Sequence, residues 1–255
     1  MQFQDRSVIV TGAAGGIGRA TAVQFAKEGA RLTLTDRDTS RAKDTMSAVR
    51  AAGGTAQFID GDVATEPFVE HLVDAAVKAY GRLDCAFNNA GIVGTELLPV
   101  DQSSLEAWQD VITVNLTSVF LCLKYETRAM LQTGCGAIVN TASALGQVAA
   151  PNMPAYCASK TAVVGLTRAT ALDYAKRNIR VNAVLPATIE TPMTTGTGGI
   201  LVDAPELEQA LRAWHPIGRF GQPDEVAAAV LWLASDKASF VTGHAMLIDG
   251  GSTVQ

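Results

Sequence analysis

Short β-branched segments alternate with longer amphipathic segments along almost the whole chain, and this alternation limits the fold more than any other feature. The predicted strands are Ser7–Thr11, Arg31–Asp36, Thr55–Asp60, Leu83–Asn88, Ala137–Thr141, Arg180–Leu185 and Ala245–Ile248. The predicted helices run from a Gly-rich turn to about Glu28, then near Thr39–Ala51, Glu66–Tyr80, Ser103–Leu131, Met153–Lys176 and Pro223–Ala234. Repeated strand–helix units make right-handed crossovers, which predicts a parallel sheet covered on both faces.

No tandem repeat or Pro/Ser-rich linker interrupts this order, so the 255 residues are predicted to form a single α/β domain. The stretch between Leu185 and Pro223 is predicted to be irregular. Its first part, Ala187–Gly199, is rich in Thr and Gly, and such segments in compact domains are often lids or binding loops.

The overall charge excludes several kinds of partner. A net charge of −5 and a pI near 5.2 argue against nucleic acid and anionic membranes. The longest apolar run, Val226–Ala234, is about half as long as a membrane span, and the polar Met1–Arg6 does not resemble a secretion signal. The cysteines are far apart and lack metal-ligand spacing: Cys85, Cys122, Cys135 and Cys157. The sequence therefore predicts a cytoplasmic protein with reduced thiols and no metal site.

A glycine-rich run, Thr11–Gly18, lies between the first predicted strand and its helix. Glycine lets the backbone turn sharply and approach a pyrophosphate, and the helix N-terminus offers free N–H groups. Glycine also serves ordinary tight turns, so the run alone says little. Its position at the first strand–helix junction predicts a dinucleotide site.

Asp36 ends the second predicted strand, 18 residues beyond Gly18. An acidic residue at this place is expected to bind the adenosine ribose hydroxyls and to repel a 2′-phosphate, which favours NAD over NADP. Two alternatives stay open. Asp36 can be a solvated strand end, and the neighbouring Arg37 can accommodate the phosphate of NADP.

Tyr156 and Lys160 are four residues apart in a predicted helix, which places them on one face about 6 Å apart. Hydride transfer to a carbonyl requires a proton donor, but a phenol with a pKa near 10 exchanges protons poorly at pH 7. An ammonium about 4 Å away, at an effective dielectric near 20, supplies the roughly 4 kcal/mol that lowers this pKa by about three units. The pair predicts an acid/base site; the alternative is a solvent-facing pair without a role.

Two other polar residues occupy notable positions. Asn115 lies on the apolar stripe of the long predicted helix, where an unbonded amide costs about 1–3 kcal/mol. It is either a structural amide that bonds neighbouring backbone or a polar relay to a site. Ser143 follows the Ala137–Thr141 strand, at the carboxyl edge where open α/β sheets bind ligands.

From Ser7 to Gly251 the chain closely resembles the short-chain dehydrogenase/reductase family. The matching motifs are Thr11–Gly18, Asp62-Val63, Asn88–Gly91, Asn115, Ser143, and Tyr156 with Lys160. The resemblance implies a doubly wound Rossmann fold with strand order 3-2-1-4-5-6-7. It implies an NAD-dependent oxidoreductase with the catalytic residues Asn115, Ser143, Tyr156 and Lys160.

The resemblance also implies a role for each of these side chains. Tyr156 is expected to be the acid/base, Ser143 to polarise the substrate oxygen, and Asn115 to hold a relay water. Lys160 is expected to bind the nicotinamide ribose as well. The expected cofactor contacts are Gly12, Gly16, Ile17, Gly18, Asp36, Arg37, Asp62, Val63, Asn89, Ala90, Gly91, Tyr156, Lys160, Pro186, Ile189 and Thr191.

The chain departs from the family at Pro186-Ala187, where relatives commonly have Pro-Gly. Alanine takes a positive φ only at a cost, so the turn after the sixth strand is expected to follow a different path. Relatives are mostly homotetramers that pair their long helices. Ser103–Leu131 and Met153–Lys176 are therefore the interface candidates.

In relatives, the substrate contacts three segments, which correspond here to Ile92–Leu98, Ala144–Met153 and the loop at about 187–215. They are mostly small or apolar, and acidic residues in the loop outnumber its clear cation, Arg212. His215 is expected to be an exposed loop residue, with the alternative that it bonds a polar group. A neutral ketone or secondary alcohol, cyclic or aromatic, fits best.

Two alternatives remain. A 3-oxoacyl-thioester (acyl-carrier-protein) reductase ranks second, because Leu131–Gly136 lacks the basic residues such relatives show. A dinucleotide-binding sensor without turnover ranks third, because Tyr156 and Lys160 are both present.

Overall fold

A computed structural model describes residues 1–196 and 199–254, and within them the seven predicted strands form one parallel sheet. The strands are β1 (Ser7–Thr11), β2 (Arg31–Asp36), β3 (Thr55–Asp60), β4 (Cys85–Asn88), β5 (Gly136–Thr141), β6 (Ile179–Pro186) and β7 (Ala245–Ile248). Their spatial order is β3-β2-β1-β4-β5-β6-β7, which confirms the expected order. The observed bounds differ from the predicted ones by at most two residues.

Eight α-helices connect and cover the strands in the described part of the chain. They are α1 (Gly16–Lys27), α2 (Ala42–Ala51), α3 (Glu66–Tyr80), α4 (Leu105–Ile112), α5 (Ser118–Thr133), α6 (Pro154–Tyr174), α7 (Pro205–Trp214) and α8 (Pro223–Ala234). Helices α1, α2 and α8 pack on one face of the sheet, and α3, α5 and α6 pack on the other. This is the doubly wound α/β arrangement.

The alternation of side chains along a strand produces two separate cores. In β1, Val8 and Val10 belong to the core under α1 and α8, whereas Ile9 belongs to the core under α3, α5 and α6. All three side chains are fully buried. Both faces of the sheet are therefore closed to ligands, and its carboxyl edge is left for a site.

The structure corrects two sequence predictions. The stretch predicted to be irregular contains α7, in which Leu207, Leu211 and Trp214 follow helical spacing. The long predicted helix is not one regular helix, because a wider π-type turn, Thr113–Thr117, separates α4 from α5. Thr197 and Gly198, inside the predicted Ala187–Gly199 loop, lie outside the described residues.

The described residues also bear on membranes and cysteines. Across residues 1–196 and 199–254, no helix is long and apolar enough to cross a bilayer. The four cysteines are unpaired; Cys85 and Cys122 are buried, and burial raises the pKa of both thiols.

Candidate active site

The carboxyl ends of the strands open into one cavity of about 990 Å³. Nearly all of the predicted catalytic and cofactor residues line it; among them, Gly18 and Asn115 do not. The fold therefore brings together side chains that are up to 179 positions apart, from Gly12 to Thr191.

The glycine-rich turn is built for a close backbone approach. Gly12 and Gly16 have φ of +65° and +53°, where other residues are strained. A Cβ on Gly18 would lie 2.1 Å from the Gly12 carbonyl oxygen, so Gly18 allows α1 to pack against the turn. Within the described part of the chain, no side chain caps the start of α1 at Gly15. The N–H groups of its first turn are thus available to an anion.

Residues that directly follow β4 hold this turn in place. The Thr11 hydroxyl accepts hydrogen bonds from the backbone N–H groups of Asn89 (3.0 Å) and Ala90 (3.1 Å). The Asn89 side-chain amide donates to the carbonyl oxygens of Thr11 and Gly12, both at 3.2 Å. These bonds join β1 to β4 at the point where the strand order reverses, which is where open α/β sheets bind ligands. The sequence analysis did not single out the Thr11 hydroxyl.

The carboxylate of Asp36 is held at the end of β2. One oxygen accepts from the backbone N–H of Ala14 (2.9 Å), and the other accepts from that of Asp38 (3.0 Å). Arg37 extends toward Asp62, with 3.8 Å between the guanidinium and the carboxylate. Arg41 also lines this end of the cavity, although no motif pointed to it.

Tyr156, Lys160 and Ser143 meet in the middle of the cavity. The Lys160 ammonium lies 5.6 Å from the centre of the Tyr156 ring and donates to the Thr141 carbonyl oxygen (3.0 Å). The Ser143 hydroxyl accepts from the backbone N–H of Leu145 (3.1 Å). Tyr156 and Lys160 thus share one helical face, as predicted, and that face lines the cleft beside the glycine turn.

The electrostatics of this pair differ from the sequence expectation. Burial raises the pKa of the Tyr156 phenol above 10, and the Ser143 hydroxyl opposes this shift. Burial also lowers the pKa of Lys160 to about 8. The expectation that the Lys160 ammonium by itself lowers the pKa of the phenol to near neutrality is therefore wrong when only the protein's side chains are considered. Burial removes both groups from water, which disfavours both the phenolate and the ammonium.

Asn115 is fully buried in the wide turn between α4 and α5. Its amide oxygen accepts from the backbone N–H of Ile92 (2.8 Å), and its amide nitrogen donates to the Ile92 carbonyl (2.8 Å) and to the Ser159 hydroxyl (3.2 Å). Ser159 in turn donates to the Tyr156 carbonyl (2.8 Å). These contacts fit the structural alternative, in which the amide satisfies neighbouring backbone. The relay role stays a prediction.

The end of the cavity beyond Tyr156 is apolar. Its lining side chains include Val93, Leu97, Val114, Leu145, Val148, Met153, Met193, Ile200, Leu207, Leu211 and Trp214. The uncharged polar side chains there include Asn152, Thr188, Ser252 and Thr253. Among the described residues, the charged side chains that line the cavity are Lys160 and a group at the nucleotide end: Asp36, Arg37, Asp38, Arg41 and Asp62.

Two details of this apolar end differ from what the sequence predicts, and a third concerns Ala187. Ser252 and Thr253 reach it from the chain terminus, and no local pattern indicated that. His215 is buried rather than exposed. Ala187 does not adopt a positive φ, because its backbone N–H donates to Ile248 (3.1 Å) and extends the pairing of β6 with β7. The expected difference in path from relatives that have glycine at this position stays a prediction.

Comparisons with known proteins agree with this fold. A family profile described as "Enoyl-(Acyl carrier protein) reductase" matches residues 12–253. The chain is 44% identical over 249 residues to a 2,5-dichloro-2,5-cyclohexadiene-1,4-diol dehydrogenase of Sphingobium indicum, with 97% of each chain covered. It is 41% identical over 253 residues to a cyclohexanol dehydrogenase of an Acinetobacter species, with 99% of this chain and 96% of the relative covered.

A solved structure, that of an NAD⁺-bound xylitol dehydrogenase, superposes with a TM-score of 0.90 at 36% identity, and 98% of this chain and 100% of the other are covered. Identity and coverage of this extent, over the chain that forms the sheet and the cleft, show that the protein belongs to the short-chain dehydrogenase/reductase family of oxidoreductases.

Proposed function

We propose that this protein transfers hydride between NAD and a neutral cyclic secondary alcohol or its ketone. The observation that carries the proposal is the cavity itself. Among the described residues, it joins a nucleotide end with five charged side chains to an apolar end without any, and Tyr156 and Lys160 lie between the two. The activities for which the two relatives are named, on cyclohexanol and on a cyclohexadiene diol, support a ring-shaped substrate.

The residues present fit a nicotinamide dinucleotide. The uncapped start of α1 would receive the pyrophosphate, with Gly12, Gly16 and Ile17 beside it. Asp36 would bind the adenosine ribose, and Asp62 with Val63 would contact the adenine. The rest of the proposed contacts line the same cleft: Asn89, Ala90, Gly91, Lys160, Pro186, Ile189 and Thr191.

The choice of NAD over NADP rests on two carboxylates. Asp36 places a negative charge where a 2′-phosphate would lie, and its position is fixed by two backbone N–H donors. Arg37, whose guanidinium could bind that phosphate, instead lies 3.8 Å from the Asp62 carboxylate. The similar xylitol dehydrogenase is NAD⁺-bound, which agrees with this choice.

In the proposed mechanism, Tyr156 takes the proton of the substrate hydroxyl in oxidation and returns it in reduction. Ser143 donates a hydrogen bond to the substrate oxygen, and Asn115 keeps the catalytic helix in register through Ser159. With a pKa of about 8, Lys160 is largely protonated at pH 7; it donates to the Thr141 carbonyl and lies 5.6 Å from the centre of the Tyr156 ring. NAD, when bound, supplies the hydride acceptor and a positive ring.

The loop at about 187–215 is proposed to cover the substrate, since Thr188, Ile200 and Leu211 all line the apolar end. We also propose a homotetramer, because α5 and α6 leave large apolar side chains exposed, Phe120 by 50% and Leu172 by 81%. A cytoplasmic location agrees with the unpaired cysteines. Light scattering of the purified protein tests the tetramer, for which a monomeric mass would be the contrary result.

The test of the function is a substrate panel followed by nicotinamide absorbance. Cyclohexanol, cyclohexanone, linear alcohols and acetoacetyl thioesters are each assayed with NAD(H) and NADP(H). We expect the highest kcat/KM for the cyclic pair with NAD(H). A clear preference for acetoacetyl thioesters would instead identify the acyl-thioester reductase.

Tyr156→Phe then separates an enzyme from a nucleotide sensor. We expect kcat to fall by roughly 10³-fold while NAD still binds, since only the exchangeable proton is lost. Tyr174→Phe, near the end of the same helix, is the matched control and should keep full activity. Unchanged turnover in Tyr156→Phe would overturn the catalytic assignment.

A further inference from the structure

His215 is buried, with 3% of its surface exposed, and both ring nitrogens are hydrogen-bonded. Nε2 lies 3.3 Å from the backbone nitrogen of Thr188, and Nδ1 lies 2.5 Å from the carbonyl oxygen of Leu211. A backbone N–H can only donate, so Nε2 is the acceptor. Nδ1 therefore carries the proton and donates to Leu211. The neutral ring with this tautomer satisfies both partners at once.

The two partners of the imidazole belong to two different segments that line the cavity. Leu211 lies on α7, whose residues Leu207, Leu211 and Trp214 line the cavity from one side. Thr188 follows β6 and precedes Ile189, and both residues line the cavity where the nicotinamide is proposed to bind. The histidine ring is thus a direct bridge between the helix over the substrate and the segment beside the cofactor.

Helix α7 contacts its surroundings through partly buried side chains, among them Arg212, which lies 4.0 Å from the Glu190 carboxylate and 4.2 Å from the centre of the Phe220 ring. None of its ten residues, all of which are described, is buried. By contrast, the segment Thr188–Glu190, to which His215 connects α7, is held by backbone hydrogen bonds. The N–H of Gly221 donates to the Thr188 carbonyl (3.0 Å), and the N–H of Glu190 donates to the Gly221 carbonyl (2.9 Å). His215 is therefore a buried link between the partly exposed α7 and this fixed segment.

The rings around His215 keep its orientation. Trp214 and Phe220 pack edge-on against the imidazole, with centroid distances of 5.4 and 5.8 Å. Phe220 is fully buried, and the Arg212 guanidinium lies 4.2 Å from its ring centre. Because aromatic neighbours confine the ring on two sides, it cannot rotate without breaking both hydrogen bonds.

We propose that His215 is a positioning residue that sets the distance between α7 and the nicotinamide end of the cavity, and thereby the fit of the substrate. The proposal rests on the dehydrogenase function proposed above. His215 does not line the cavity, so it acts through Leu211 and Thr188 rather than by touching the substrate.

Three substitutions separate the two hydrogen bonds. His215→Asn can keep the donor near the Nδ1 position, His215→Gln can keep an acceptor near the Nε2 position, and His215→Leu keeps neither. We expect the KM for cyclohexanol to rise about tenfold or more in His215→Leu and less in the two amide variants, since each retains one bond. The Kd for NAD should change little.

A merely structural role would not produce this pattern. Val69→Ala, in the buried core under α3, is the matched control, because it should lower the melting temperature without a change in the KM for cyclohexanol. A rise in KM in Val69→Ala as large as that in His215→Leu would overturn the proposal.

Hydrogen exchange of the α7 amides gives a readout that needs no activity. We expect exchange in residues 205–214 to be faster in His215→Leu than in the wild type, with α3 unchanged. Equal exchange in α7 would overturn the proposal even in an active enzyme. If no alcohol or ketone is turned over, the proposed function fails, and the exchange data still decide whether His215 anchors α7.

Discussion

The two ends of the cavity differ in how they are built. At the nucleotide end, charged and glycine residues follow strand ends directly, and backbone hydrogen bonds hold them, as with Asp36 and the N–H groups of Ala14 and Asp38. At the substrate end, the walls come from distant parts of the chain, such as Leu145, Leu207 and Thr253, and most of them are apolar.

This difference explains why the ligand of the nucleotide end can be inferred more narrowly than the ligand of the substrate end. A phosphate or a ribose hydroxyl requires particular donors and acceptors at short range, which a local motif provides. An apolar substrate is held by the area it buries, and many side chains supply such area about equally well. The nucleotide end therefore specifies one cofactor class, whereas the substrate end specifies size and lack of charge.

Of the variants that compare the two ends, one that lacks the carboxylate at the nucleotide end should show the largest change in activity, and that change should appear in the choice of cofactor. In Asp36→Ala we expect kcat/KM for NAD to fall about 10- to 100-fold, because the ribose loses a charge-assisted acceptor, while that for NADP rises as repulsion is removed. Steady-state kinetics with both cofactors measures the ratio. Asp38→Ala, which also lines the cavity, is the control. A ratio that is unchanged in Asp36→Ala would show that Asp36 does not select the cofactor.

A deletion at the apolar end should have a smaller and different effect. In Leu207→Ala we expect the KM for cyclohexanol to rise up to about tenfold, since part of one aliphatic side chain no longer covers the ring. The KM for NAD should stay the same. Gln209→Ala lies on the same helix, is exposed and does not line the cavity, so it serves as the control. An equal change in both KM values would mean that the two ends do not act separately.

A buried acid behind the nucleotide end should affect stability and leave turnover almost unchanged. Glu126 on α5 is 1% exposed and accepts from the Asn88 side-chain amide (3.0 Å). Burial raises its pKa from 4.5 to about 7. Between these values the folded state binds more protons than the unfolded state, so the free energy of unfolding falls as the pH rises from about 4.5 to 7.

Glu126→Gln keeps an acceptor for Asn88 and abolishes this titration. We expect nearly equal stability of the variant and the wild type at pH 4.5, and a variant more stable by up to about 3 kcal/mol at pH 8. Urea unfolding at the two pH values measures the difference. Glu70→Gln, an exposed acid, should show no such trend. A parallel pH dependence of Glu126→Gln and the wild type would contradict the assigned titration.

Much of the site could be predicted from the sequence because its groups follow local patterns. Thr11–Gly18, Asp36 and the Tyr156–Lys160 pair each lie at a strand end or on one helical face, and all of them reach the cavity. The helical spacing of Leu207, Leu211 and Trp214 is also present in the sequence, but the stretch that contains it was predicted to be irregular.

Other features depend on contacts that no local pattern contains. Ser252 and Thr253 line the cavity because β7 pairs with β6 and directs the terminus back toward the cleft. His215 is buried because Thr188 and Leu211 meet there. The raised pKa of Tyr156 is an effect of burial, and burial is a property of the packed molecule.

The sequence by itself determined the order of strands and helices, the nucleotide turn and the acid/base pair. These follow from hydrophobic periodicity and from spacing along a single strand or helix, which act over a few residues. Only the tertiary structure decided the walls of the substrate end, the anchorage of α7 and the protonation of the buried groups. Those depend on side chains far apart in the chain being brought into contact and removed from water.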